Sequence, residues 1–208
     1  MSQFFAIHPE NPQPRLIAQA ARLIDGGGVA VYPTDSCYAI GCGLGEKEAM
    51  ERIARIRDIG RDHNFTLVCR DLSDIGTYAR IDKAEYRLLK TLTPGPYTFI
   101  LRATGEVPRR LQHPKRRTIG IRVPDHAIVQ ALLERLERPL MSATLQLPGD
   151  EFPLTDASLI RERLEHQVDL VIDGGNCGLE PTTVLRLDEG RVEVERRGRG
   201  PVDFLERA

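Results

Sequence analysis

A mixed α/β fold is predicted for this 208-residue chain by three features of its sequence. Apolar residues recur with helical and then strand periods along it, several strand-like segments follow one another with no helix between, and the length suits one substantial core. One domain is expected at residues 14–208, preceded by an N-terminal segment, 1–13, extended over the core.

The first helix is predicted in PQPRLIAQAARLIDGGG, where Leu16, Ile17, Ala20, Leu23 and Ile24 share a face and three glycines suit its end. A buried strand, Val29 to Tyr32, then stops at Pro33 in a polar cluster of Thr34, Asp35 and Ser36, with glycines at 41, 43 and 45 beyond. Such an ending is either a turn built from suitable residues or a ligand site at the mouth of a sheet. EKEAMERIARIRD reads as a helix leading to the strand FTLVC, EYRLLKTL as a helix, and TFILRA and IGIRV as strands. DHAIVQALLERLE is a helix that Asp125 could cap. Ser142-Ala143-Thr144 ends a strand begun by PLM, ASLIRERLEHQ is a helix before the apolar strand VDLVID, and TTVLRL and RVEVER form a hairpin around Asp188-Glu189-Gly190.

The 29 basic and 30 acidic residues leave a formal charge of −1, which excludes a polyelectrolyte and confines any nucleic-acid contact to a local patch. No apolar run approaches the roughly 20 residues that span a bilayer, and MSQFFAIHPENPQPR lacks a basic leader, so a cytoplasmic protein without membrane contact is expected. Cys37, Cys42, Cys69 and Cys177 are expected to be reduced and mostly buried, and no spacing suggests a metal site. Gly26-Gly27-Gly28 precedes a strand, whereas a phosphate-binding glycine loop follows one. Neither a P-loop nor a Gly-x-Ser-x-Gly elbow occurs.

What remains are hydroxyl clusters at strand ends, Thr34 to Ser36, Ser142 to Thr144 and Pro181 to Thr183, together with Arg55, Arg57, Arg122 and Arg196. Hydroxyls and amides can orient a small zwitterion, and arginines hold carboxylates or phosphates through paired hydrogen bonds. The same residues also serve as caps and surface ion pairs. Asp35 could order a metal or stabilise a turn, and Tyr38 and Tyr97 could stack on a base or fill the core. His63 could reach a phosphate or lie on the surface. Arg109, Arg110, Lys115, Arg116 and Arg117 concentrate positive charge with no acid between them, as an RNA contact or a solvated loop would.

Five ordered motifs, YPTDSCYAIGCGL, TPGPYTFIL, TIGIRVPDH, MSATLQLPG and PTTV followed by VERRG, resemble those of the YrdC-like family nearly end to end. The long HNFTLVCRDL segment is most similar to the YciO branch. The resemblance implies a single YrdC-like domain, a twisted mixed β-sheet flanked by helices with a concave basic face. It also implies a nucleotidyltransferase related to L-threonylcarbamoyladenylate synthase, which joins threonine, bicarbonate and ATP, releases pyrophosphate and serves tRNA modification. Carried over by motif, L-threonine binding falls to Thr34, Arg122, Ser142 and Thr182, and ATP binding to Arg57, Asn64, Thr118, Thr144 and Arg196. Arg55 and Arg57 stand where the family has a catalytic Lys-x-Arg, and Thr144 where it has asparagine, so weak synthase activity is expected. Magnesium bound through the ATP phosphates is implied, with no organic prosthetic group. The alternative is a non-catalytic protein binding double-stranded RNA, tRNA or rRNA through Arg109, Arg110, Lys115, Arg116 and Arg117.

Overall fold

The computed structural model describes residues 1–60 and 65–205. In chain order its elements are β1 (Gln3–Ala6), α1 (Pro14–Asp25), β2 (Ala30–Tyr32), β3 (Ala39–Gly43), α2 (Lys47–Arg57), β4 (Thr66–Val68), α3 (Leu72–Tyr78), β5 (Ala79–Arg80) and α4 (Lys83–Leu92). They continue with β6 (Tyr97–Ala103), β7 (Thr118–Arg122), α5 (Ala127–Leu136), β8 (Leu140–Thr144), α6 (Ala157–Leu164), β9 (Leu170–Asp173), β10 (Thr183–Asp188) and β11 (Arg191–Arg196). The strands join in one mixed sheet of order β1-β9-β2-β3-β8-β4-β7-β6-β10-β11, with β5 paired to β6.

Two helical layers sandwich part of this sheet. On one face α1 and α5 bury Ile17, Ala20, Ile24, Ile128, Val129 and Leu132 against Tyr32, Val68, Leu140 and Ile172. On the other, Ile53 of α2, Ile75 of α3, Leu89 of α4 and Ile160 of α6 cover Val31, Ile40, Leu67, Phe99, Ile121, Met141 and Leu185. Side chains two residues apart on a strand share a face, and the register gives this a consequence. Val68 pairs with Leu140 under the first layer, so Thr66, which pairs with Ser142 and Gly120, points to the same side. Those positions are small or polar because they floor a cavity beyond the helices.

The N-terminal residues are drawn into the sheet, since β1 runs parallel to β9. The β10–β11 hairpin turns at Glu189 and Gly190, with φ of 52° and 78°, as the twist of a two-residue connection requires. Asp71 and Asp82 cap α3 and α4. Asp125 does not cap α5: the cap position is His126, without a side-chain bond, and the Asp125 amide donates instead to Asp35 Oδ2 at 3.1 Å. The glycine-rich run after Ser36 is strand β3, held between β2 and β8. Gly41 is needed there because a Cβ would meet Met141 O at 2.6 Å and the Tyr32 hydroxyl at 2.9 Å. All four cysteines are free, and Cys37, Cys42 and Cys69 are buried. No described helix is long and apolar enough to cross a membrane.

Candidate active site on the open face of the sheet

The uncovered half of the sheet forms a cavity of about 610 Å³. Its floor carries Thr66, Thr98, Ile100, Thr118, Gly120, Arg122, Ser142 and Thr182, and Arg57, Gln146 and Arg196 stand on its walls. Strand pairing brings the floor residues together, because β8, β4, β7, β6 and β10 are consecutive in the sheet.

Arg122 is the buried cation of the floor. Its guanidinium pairs with Asp35, both side chains about 10% exposed, and Nη1 donates to Ser36 Oγ at 3.4 Å. Asp35 therefore orients an arginine, in place of the metal or turn role open to it from sequence. Arg122 Nε is buried without a hydrogen-bond partner, a donor left available to an incoming anion. Ser142 is prepared similarly: the Tyr32 hydroxyl donates to Ser142 Oγ at 2.9 Å, which leaves the serine proton free for a ligand. Burial raises the Tyr32 hydroxyl to about 12, against the smaller opposing effects of Ser142 and Arg122, so it remains a donor at neutral pH.

Thr182 lines the cavity, its hydroxyl 2.8 Å from that of Thr98. Thr34 does not. Its hydroxyl donates to Cys37 O at 2.6 Å and accepts from Ser36 N at 3.2 Å, so it shapes the turn, and Ser36 takes the place in the lining expected of Thr34.

Thr118, Thr144, Arg57 and Arg196 all line the cavity. Arg57 Nε donates to Gln146 O at 2.9 Å and Arg196 Nη2 to Thr182 O at 2.9 Å, and among the described residues neither has a carboxylate partner. Burial lowers the pKa of both guanidiniums, the mark of cations partly stripped of water and without a counter-ion. Arg55 is exposed outside the lining, because residues two apart on a regular helix face different ways. Arg55 thus stands apart from Arg57 and outside the cavity. Asn64 and His63 lie outside the described residues. Tyr97 is buried and donates to Pro201 O at 2.8 Å, the core-filling alternative, whereas Tyr38 is buried, donates to Gly175 O at 2.7 Å and also lines the cavity. Cys37 also lines the cavity, but burial raises its thiol pKa despite Arg122, Arg196 and Arg199, so it is no ready nucleophile. The lining offers oriented donors and uncompensated cations, which suits an anionic ligand.

A family model for Sua5, YciO and YrdC proteins, described as "Telomere recombination", matches residues 22–198. The chain belongs to the Sua5/YciO/YrdC family. It is 57% identical to the YciO protein of Escherichia coli K12 over 97% of this chain and 98% of that one, and the crystal structure of E. coli YciO superposes with a TM-score of 0.93 over the same shares. Human threonylcarbamoyl-AMP synthase is 31% identical over 88% of this chain and 64% of its own length. P. abyssi Sua5 complexed with L-threonine gives a TM-score of 0.90 at 25% identity, covering 99% of this chain and 60% of that one. The chain is thus related to the threonylcarbamoyl-AMP synthases.

Motif matching to the Sua5/YciO/YrdC family missed Thr66, Thr98 and Gln146. Alternation in TFILRA, which puts Thr98, Ile100 and Arg102 on one side, could have found Thr98. The same open face continues past Thr118, which pairs with Arg102, into a second concavity of about 1050 Å³. Six arginines line it: Arg80, Arg102, Arg109, Arg116, Arg117 and Arg186. Arg102 is paired with Asp188 and Glu189, and Arg186 with Glu193 and Glu195, whereas Arg109, Arg116 and Arg117 have no carboxylate partner among the described residues. Of the rest of the basic run, Arg110 donates to Gly45 O at 2.6 Å and Lys115 is exposed, both outside this concavity.

Proposed function

We propose that the chain is a cytoplasmic ATP- and L-threonine-binding enzyme of the threonylcarbamoyladenylate synthase type, slow in that reaction and linked to tRNA modification. The observation that carries this reading is one cavity containing both Arg122, Ser142 and Thr182 and Arg57, Thr118, Thr144 and Arg196. Arg122 would receive the threonine carboxylate in exchange for part of its contact with Asp35, and Ser142 would donate to the same zwitterion. The threonine amine takes up CO2 from bicarbonate to form a carbamate, whose oxygen attacks the α-phosphorus of ATP and expels pyrophosphate. Such a displacement needs positioning and positive charge more than a protein nucleophile. Arg57 and Arg196 supply the charge. Magnesium would enter as an ion carried by the triphosphate. Thr144 in place of asparagine removes an amide that both donates and accepts, the ground for slow turnover. Pyrophosphate release from ATP and bicarbonate should rise on adding L-threonine; release that is absent, or indifferent to threonine, overturns the reading.

A second reading, RNA binding without catalysis, is favoured by the arginine-lined concavity. If Arg109, Arg116 and Arg117 contact phosphates of a duplex RNA, log affinity against log salt should have a slope near −2 to −3. Arg116→Ala with Arg117→Ala should flatten it by about one to two units and leave threonine binding unchanged. Filter binding across a salt series measures both, and no affinity at low salt excludes the reading.

A further inference from the structure

The loop that leaves β8 folds back on itself before α6 begins, and one half-buried side chain fills its inside. Leu154 N donates to Leu145 O at 3.2 Å and Asp150 N to Leu147 O at 3.1 Å, with Gly149 at φ of 83° in the turn. Within this ring the Gln146 side-chain amide donates to Asp150 O at 3.0 Å and Glu151 O at 3.2 Å, one carbonyl for each of its two hydrogens. On the outside, the Asp150 carboxylate accepts from Arg163 Nη1 of α6 at 2.8 and 3.1 Å. The loop is thus pinned to α6 on its outer side and to Gln146 on its inner side.

The main chain of the same residue serves the cavity. Gln146 O accepts from Arg57 Nε at 2.9 Å, and Leu145 N beside it donates to Tyr38 O at 2.8 Å. Arg57 is the last residue of α2, and Asp58 after it has a left-handed backbone, so the helix ends at the base of this long side chain. Among the described residues the Gln146 carbonyl is the one hydrogen-bond partner of the Arg57 guanidinium. A bond at Nε leaves both Nη groups available to an anion in the cavity.

An arginine side chain has many rotamers, and holding its fork in one direction before a ligand arrives removes part of the ordering cost of binding. The direction of the holding carbonyl depends on the path of the chain at residue 146. That path is set by the two bonds of the Gln146 amide to the far side of the loop.

We propose that Gln146 is a positioning residue: by tying residues 150 and 151 to itself it fixes the carbonyl that aims the Arg57 guanidinium into the cavity. This rests on the nucleotide-binding reading above for the ligand that Arg57 awaits, whereas the aiming is a property of the free protein.

Two measurements separate those parts. Arg57→Lys identifies the Arg57 Nε–H signal in a nitrogen-15 spectrum, and in wild type that proton should exchange with water roughly tenfold more slowly than in Gln146→Ala. By calorimetry, Gln146→Ala should weaken ATP binding roughly three- to tenfold, leave threonine affinity within about twofold, and add nothing to the loss caused by Arg57→Ala. Gln146→Met, similar in size but without donors, should match Gln146→Ala in both measurements. A merely structural residue would weaken ATP and threonine together, and by the same factor with or without Arg57. Nε–H exchange unchanged in both variants overturns the proposal, as does a loss of ATP affinity that persists in full in the Arg57→Ala background. If exchange quickens as expected but wild type binds no ATP, the aiming stands and the nucleotide-binding reading falls.

Discussion

Arg122→Ala is expected to weaken L-threonine binding roughly 100-fold and to lower the unfolding free energy by about 3–5 kcal/mol. The two losses have different origins. Binding suffers because the charge-assisted contact to the ligand carboxylate disappears. Stability suffers because Asp35, about 10% exposed, would keep among the described residues only the Asp125 amide as a hydrogen-bond partner. A buried charge deprived of its counter-ion costs more than the pair contributes. Adding Asp35→Asn to the variant should therefore recover most of the stability and none of the affinity. Urea unfolding and calorimetry separate the two. Threonine bound by Arg122→Ala as by wild type would show that Arg122 is no part of an amino-acid subsite.

Arg57→Ala and Arg196→Ala should each weaken ATP binding roughly 10- to 100-fold and leave threonine affinity within about twofold. Both guanidiniums are partly desolvated and bonded to backbone oxygens, with no carboxylate paired to either among the described residues. Folding should tolerate both substitutions, because neither cation balances a carboxylate among the described residues. Arg55→Ala is the control: exposed outside the cavity, it should leave ATP affinity unchanged. Calorimetric titration of the three variants with ATP decides the matter, and a loss at Arg55 equal to that at Arg57 would contradict this geometry.

Period and punctuation made much of the fold readable. The α1 face, β2, the β10–β11 hairpin and the helix before β9 follow from local pattern, because each is decided by residues near in sequence. Two of the elements left unread depend on distant partners. Strand β1 exists because β9 accepts it, and β3 is a strand despite its glycines because β2 and β8 flank it. At the site, the motifs marked Arg122, Ser142, Thr182, Thr118, Thr144, Arg57 and Arg196, all of which line one cavity. Thr34 and Arg55 fall outside the lining for local reasons: a hydroxyl at a tight turn bonds its own backbone, and a helix turns a residue two positions away to another side. The Asp35–Arg122 pair spans 87 positions, and only the folded chain reveals it.

If the cavity joins threonine, bicarbonate and ATP, the product itself must be detectable. Purified protein incubated with carbon-labelled bicarbonate, L-threonine, ATP and magnesium should slowly form a labelled threonylcarbamoyladenylate, detected by mass, that is missing when any one substrate is omitted and in Arg122→Ala. Binding of both threonine and ATP by wild type with no labelled adenylate over long incubation would contradict that chemistry.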